Sequence, residues 1–329
     1  MGRFRRGLLT WTITGLTPLL ALVIFACQRM SAAGAERWAP RIGSLLRGAK
    51  RSVILTRLAT VLGSERLRHV DADAFWAAHL RYVGLTVIES FRVGALSHAQ
   101  LRECFELEGE AHLRRAIEGG HGILLLLPHL GHIGAATIAL GVRGYDVTVA
   151  GNGIDITLGN DTMPLRYLER RVMRLFSHCG VRRLTLVRRL PFHAAELFKR
   201  NAVLALFVDF TVTHRHNERF RFGAAELVAN IGPAVLGLRN KPALLYASAR
   251  PIPGSRDRHL VSLQPVAFVP TGHIRVDAHA LTQVAVELAA TDLLERPEQW
   301  WSWDWARVEP SAPAGVPVPS PREAGRGGT

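Results

Sequence analysis

Apolar residues in this chain gather in short unbroken runs separated by stretches of helical periodicity. The clearest run, Ile123 to Leu127, is bounded by Gly122 and Pro128 and reads as a strand buried on both faces. Further strands are predicted at 145–150, 182–187, 202–209, 242–249 and 259–269. Helical spacing fills the intervals: 53–95 as helices, then 109–120, a helix directly after His129, 164–178, 191–200, 232–240 and an amphipathic helix at 278–294. Strands alternating with helices predict an α/β fold, with a mixed, largely parallel sheet flanked by helices on both faces.

The first thirty residues break this pattern. Gly7 to Cys27 carries no charged residue and is rich in Leu, Ile, Val and Trp. Such a run is long enough to span an apolar bilayer core of roughly 30 Å. It exceeds the usual apolar region of a secretory signal, about 7–15 residues. An uncleaved N-terminal membrane helix is therefore expected. Arg3, Arg5 and Arg6 precede it, and Arg29, Arg37, Arg41 and Arg47 follow, so the charge rule does not fix its orientation. Residues 36–52 mix Trp38, Ile42, Leu45 and Leu46 with arginines, as either an interfacial helix or an ordinary solvated one does. The tail from Pro310 is rich in Pro, Gly and Ser and is expected to be disordered. The organisation expected is an anchor at 1–30, one catalytic domain at 31–309 and a tail at 310–329.

Composition narrows the class. The formal charge is +14, almost all from arginine, since the only lysines are Lys50, Lys199 and Lys241. A surface this basic suits an anionic membrane face or an acidic carrier protein. A nucleic-acid partner is not expected, because no binding motif accompanies the charge and the N-terminal run is apolar. Cys27, Cys104 and Cys179 are widely spaced, so neither a disulfide framework nor a metal site is predicted. No cofactor is expected.

The candidate chemistry starts at His129, directly beyond the strand that Pro128 ends. Ligands bind in open α/β sheets where strands exit at their carboxyl ends, and an imidazole there suits general-base work near neutral pH. Asp209 ends another strong strand and would emerge at the same edge if the two strands are parallel. Gly232, at a helix start, could admit an anion to backbone N–H groups, and Arg221 and Arg239 flank that turn. Each of these three has a plain structural alternative: turn geometry for the glycine, surface ion pairing for the arginines.

Three stretches occur in order: Pro128-His129-Leu130-Gly131-His132; the strand ending at Asp209 with Phe220-Arg221-Phe222-Gly223 and Asn230-Ile231-Gly232-Pro233 after it; and Arg296-Pro297-Glu298-Gln299-Trp300-Trp301. Over residues 36–308 the set resembles the lipid A biosynthesis lauroyl/myristoyl acyltransferases, which are related to phosphatidylinositol mannoside and lysophospholipid acyltransferases. The resemblance implies a glycerolipid acyltransferase-like fold. It also implies acyl transfer from an acyl carrier protein or acyl-CoA thioester to a hydroxyl of a membrane lipid, at the cytoplasmic face of a bacterial inner membrane. In that family an Asp or Glu follows the histidine by five positions. This chain has Gly134 there. Three readings follow: His132 contacts His129 or the substrate, Asp209 supplies the carboxylate, or the chain is a catalytically silent lipid-binding relative.

Overall fold

The computed structural model describes residues 18–151, 163–185, 190–211, 216–255 and 257–311. Residues 18–29 are helical. Four helices follow: α1 (Ala32–Arg47), α2 (Arg51–Leu67), α3 (Ala72–Arg92) and α4 (His98–Cys104). Short polar side chains start three of them, since the first N–H groups of a helix have no partner inside it. Ser31 accepts from the Gly34 N–H, Asp71 from those of Asp73 and Ala74, and Ser97 forms a capping box with Gln100.

The rest alternates: β1 (Phe105–Glu108), α5 (Glu110–Glu118), β2 (Ile123–Leu127), α6 (Ala135–Gly141), β3 (Val147–Gly151), α7 (Met163–His178), β4 (Val181–Thr185), α8 (Leu190–Lys199), β5 (Val203–Phe207), β6 (Asn217–Phe222), β7 (Ala225–Asn230), α9 (Gly232–Asn240), β8 (Ala243–Pro251), β9 (His259–Pro265), α10 (Ile274–Glu295) and β10 (Val308–Pro310). The main sheet has the order β1-β9-β8-β2-β5-β3-β4. It is parallel except where β9 runs against β8. A smaller antiparallel sheet, β10-β7-β6, packs beside it.

The central strands explain their own sequences. Leu124 and Leu126 of β2 face one hydrophobic cluster, with Leu204 and Leu206 of β5. Ile123, Leu125 and Leu127 face the other, with Val203 and Ala205. A strand covered by helices on both faces needs no polar alternation.

Several expectations are corrected. The helix expected directly after His129 begins only at Ala135. Gly131 is the reason. It sits at φ +70°, and a Cβ there would overlap the Ala249 carbonyl, so residues 128–134 turn tightly against β8 before a helix can start. Strand pairing at β6–β7 and the short strands β1 and β10 had not been predicted. The N-terminal membrane helix is unsupported: among the described residues no helix is long and apolar enough to cross a membrane. Residues 7–17 of the apolar run lie outside the described residues, as does the tail beyond 311.

Candidate active site

Strands β2 and β5 are parallel neighbours, with Leu127 opposite Phe207. His129 and Asp209 each lie two residues beyond that pair, so equal offsets past one register point bring them together. The imidazole Nδ1 stands 2.7 Å from Asp209 Oδ1. The backbone N–H of His129 donates to both carboxylate oxygens, at 3.1 and 3.0 Å.

The carboxylate is buried, and two more groups donate to its Oδ2: the Trp300 indole N–H at 2.7 Å and the Ser302 hydroxyl at 3.3 Å. Burial alone would raise its pKa. The His129 charge and the donors around it outweigh that and hold the pKa below the usual carboxylate value. With the carboxylate ionised, His129 Nδ1 is the donor and Nε2 keeps the lone pair. The His129 ring lies over Phe207, centroids 3.9 Å apart, and meets the edge of Trp305 at 5.0 Å. Its side chain remains 18% exposed, against none for Asp209. The pair can therefore accept a proton at an accessible nitrogen while its acid stays dry.

The segment after α10 holds this arrangement. Trp301 N–H donates to the His129 carbonyl at 2.9 Å, and Gly131 N–H to Gln299 at 3.3 Å. Trp300 and Trp303 are buried and meet edge to face at 4.7 Å. Trp301–Asp304 is a 3₁₀ turn. The sequence places Trp300 in the stretch that follows Arg296 but gives Trp300 and Ser302 no part in seating the acid. The pattern Gln-Trp-Trp-Ser carries no local sign of that contact.

The other predicted residues lie apart from the pair. His132 is buried, with neither ring nitrogen partnered. Its ring meets Phe105 at 5.3 Å and His259 at 5.4 Å rather than His129. Burial, then the nearby His259, pushes its pKa down to about 3, so it is neutral at physiological pH. Gly232 directs its N–H to Asn230 Oδ1 at 2.8 Å, which closes the turn on itself rather than presenting that N–H to an anion. Arg221 pairs with Glu287 of α10 at 2.7 Å on the exposed side of β6. Arg239 is exposed in the last turn of α9. Neither arginine faces the His129–Asp209 pair through any contact found among the described residues. The same residues contain no cluster of three metal-ligating side chains, and all three cysteines are free.

An imidazole oriented by a buried, ionised carboxylate at the carboxyl edge of a mostly parallel sheet is the equipment of a hydroxyl-activating transferase. Residues 5–303 match the family model of the bacterial lipid A biosynthesis acyltransferases, and the chain belongs to that family. It is an acyltransferase, and such an enzyme works between an acyl donor and a lipid acceptor. No curated protein matches the chain in direct sequence comparison.

Proposed function

We propose that this protein moves a fatty acyl group from an acyl carrier protein or CoA thioester to a hydroxyl of a membrane glycolipid. His129 Nε2 takes the hydroxyl proton as oxygen attacks the thioester carbonyl. The thiolate then leaves, and the proton passes on to it. Asp209 fixes the ring tautomer and stabilises the imidazolium without itself taking the proton. The observation that carries this reading is the 2.7 Å contact between His129 Nδ1 and a carboxylate held ionised by surrounding donors. It supplies, from just beyond β5, the acid that Gly134 does not.

Membrane seating is part of the same proposal. Leu19, Leu22, Val23 and Phe25, then Trp38, Leu45 and Leu46, are exposed on the N-terminal helices. Arg29 lies over Phe25 at 4.2 Å and Arg41 over Trp38 at 5.3 Å. Apolar side chains capped by arginines suit the boundary between acyl chains and anionic headgroups. Thioester donors are cytosolic, so the catalytic face is assigned to the cytoplasmic side of the inner membrane.

The test is transfer of labelled acyl groups from both thioesters to a lipid extract, with His129→Ala beside the wild type. Loss of a general base lowers turnover roughly 10²–10⁴-fold. A His129→Ala enzyme keeping more than about a tenth of wild-type turnover rejects the assignment. A folded wild type inert with every thioester puts the silent-relative reading in its place.

A further inference from the structure

The tryptophans after α10 do not share one environment. Trp300 and Trp303 are buried, whereas Trp305 is 44% exposed and belongs to none of the hydrophobic clusters. Its backbone is nevertheless fixed. The Trp305 N–H donates to the Ser302 carbonyl at 3.1 Å, and Ser302 directs its hydroxyl to Asp209. The turn that seats the acid therefore also sets the indole. Among the described residues the only ring contact of Trp305 is with His129. Packing of the core accounts for Trp300 and Trp303, but not for a large aromatic side chain left in solvent against the proposed base.

The imidazole is closed on the sides that do not react. Asp209 holds Nδ1, and Phe207 covers one face with the two ring planes 14° apart. Trp305 meets the imidazole at 89°, centroids 5.0 Å apart. Asp209 is buried and Phe207 half-buried, so the exposed indole borders the part of the ring left open to substrate. Distances decide which substrate it meets. An acceptor hydroxyl must come within roughly 2.6–3.2 Å of Nε2 to give up its proton. The thioester carbonyl carbon then stands about 3–3.5 Å beyond that oxygen. The acceptor carbon bonded to the hydroxyl is thereby held closer to the imidazole than the carbonyl carbon, and the acyl chain lies further still. A ring packed against the imidazole meets the acceptor first.

We infer that Trp305 binds the acceptor: its indole packs on the hydroxyl-bearing carbon of the lipid and the C–H groups beside it, and so sets the hydroxyl at Nε2. The inference rests on His129 acting as the base. An indole suits this contact, because it offers a large, rigid, largely apolar surface with little side-chain entropy to lose.

Steady-state kinetics of the full-length protein in detergent test it. The donor is labelled lauroyl-CoA or lauroyl carrier protein, whichever gives the faster wild-type transfer, and the acceptor is a total lipid extract supplied over a dilution range. Trp305→Ala should raise the half-saturating amount of extract about tenfold, as loss of one aromatic contact does. The thioester KM should stay within about twofold of wild type. Trp305→Phe keeps a flat apolar ring and should recover most of the loss. An indole that only packs against His129 would instead lower turnover at saturating extract and leave the half-saturating amount unchanged, which overturns the inference. So does a rise confined to the thioester KM, or a Trp305→Phe enzyme as impaired as Trp305→Ala. Tm of Trp305→Ala should match wild type, since the side chain is largely exposed; a fall of several degrees would assign the indole to folding and reject the acceptor role. The base assignment is read from turnover of His129→Ala and this inference from extract dependence, so the two fail separately. A folded wild type inert with every thioester removes both.

Discussion

Asp209 is a carboxylate removed from water yet held ionised, and the donors that achieve this can be tested one at a time. Asp209→Asn keeps the shape and loses the charge. Turnover should fall nearly as far as in His129→Ala, with the double variant little worse than either, because residues acting as a unit are not additive. Trp300→Phe removes a single donor to a charged group, worth roughly 1.5–3 kcal/mol. It should raise the Asp209 pKa and lower turnover by about tenfold or more, with the acid limb of the pH–rate profile moving upward. An unchanged profile would mean that the indole only packs. Position 134 gives a sharper test. A Cβ there would stand 3.7 Å from His132 Cε1 and 3.1 Å from Ile138 Cδ1. A carboxylate added by Gly134→Asp is therefore expected to pair with His132. It should raise the His132 pKa from about 3, seen by NMR titration, and should not rescue Asp209→Asn; recovered turnover in the combined variant would contradict this placement. Acid stability belongs to the same buried rings. The His132 pKa is lowered to about 3, and burial, the main cause, takes His79 down to about 4. Both groups bind protons more readily unfolded than folded. Stability should therefore fall as pH drops below about 6.5, by up to about 1.4 kcal/mol per pH unit for each ring, until the folded values are reached. His132→Phe should flatten that slope in acid-unfolding curves.

Among the elements, α1 and α3 cross closely. A Cβ at Gly43 would overlap the Leu80 carbonyl, and one at Gly84 the Ala39 carbonyl, so each glycine meets the backbone of the other helix directly. Gly84→Ala should force the helices apart and lower Tm by several degrees, whereas Ala78→Ser on the same helix should change it little. Equal Tm values for the two variants would show that the crossing tolerates expansion. The same scale shows what the sequence makes legible. β2 and β5 announce themselves because helices cover both faces and every position can be apolar. The end of each strand then locates His129 and Asp209 without further information. β6 hides because only alternate residues are buried: Phe220 and Phe222 inward, Arg219 and Arg221 outward. Those phenylalanines read as a motif rather than a strand. The turn of Trp301–Asp304 hides for a different reason. Its shape is set by Trp303 donating to the Pro297 carbonyl at 2.7 Å and by arginines from distant helices, contacts that no local spacing encodes. The grouping of His132 with His259 and Phe105 is likewise a product of pairing between β1 and β9, which leaves no local trace.

For the whole molecule, the proposed membrane seating can be tested directly. Burial of the exposed N-terminal side chains should keep the protein with membranes in 1 M salt, where the Debye length of about 3 Å removes attraction by the basic surface. Release by that wash would show that charge alone holds it. A consequence for dissecting the enzyme follows from how those helices meet the site. Arg47 of α1 donates to the Trp301 carbonyl at 3.1 Å, and Arg57 of α2 to the Trp303 carbonyl at 2.7 Å. His79 of α3 grips the Glu298 carbonyl at 2.8 Å. These carbonyls flank the residues that hold His129 and Asp209. The N-terminal helices are therefore the mould in which the aromatic segment sets, and trimming the chain back to its sheet should yield a fragment with every strand intact and the acid unseated.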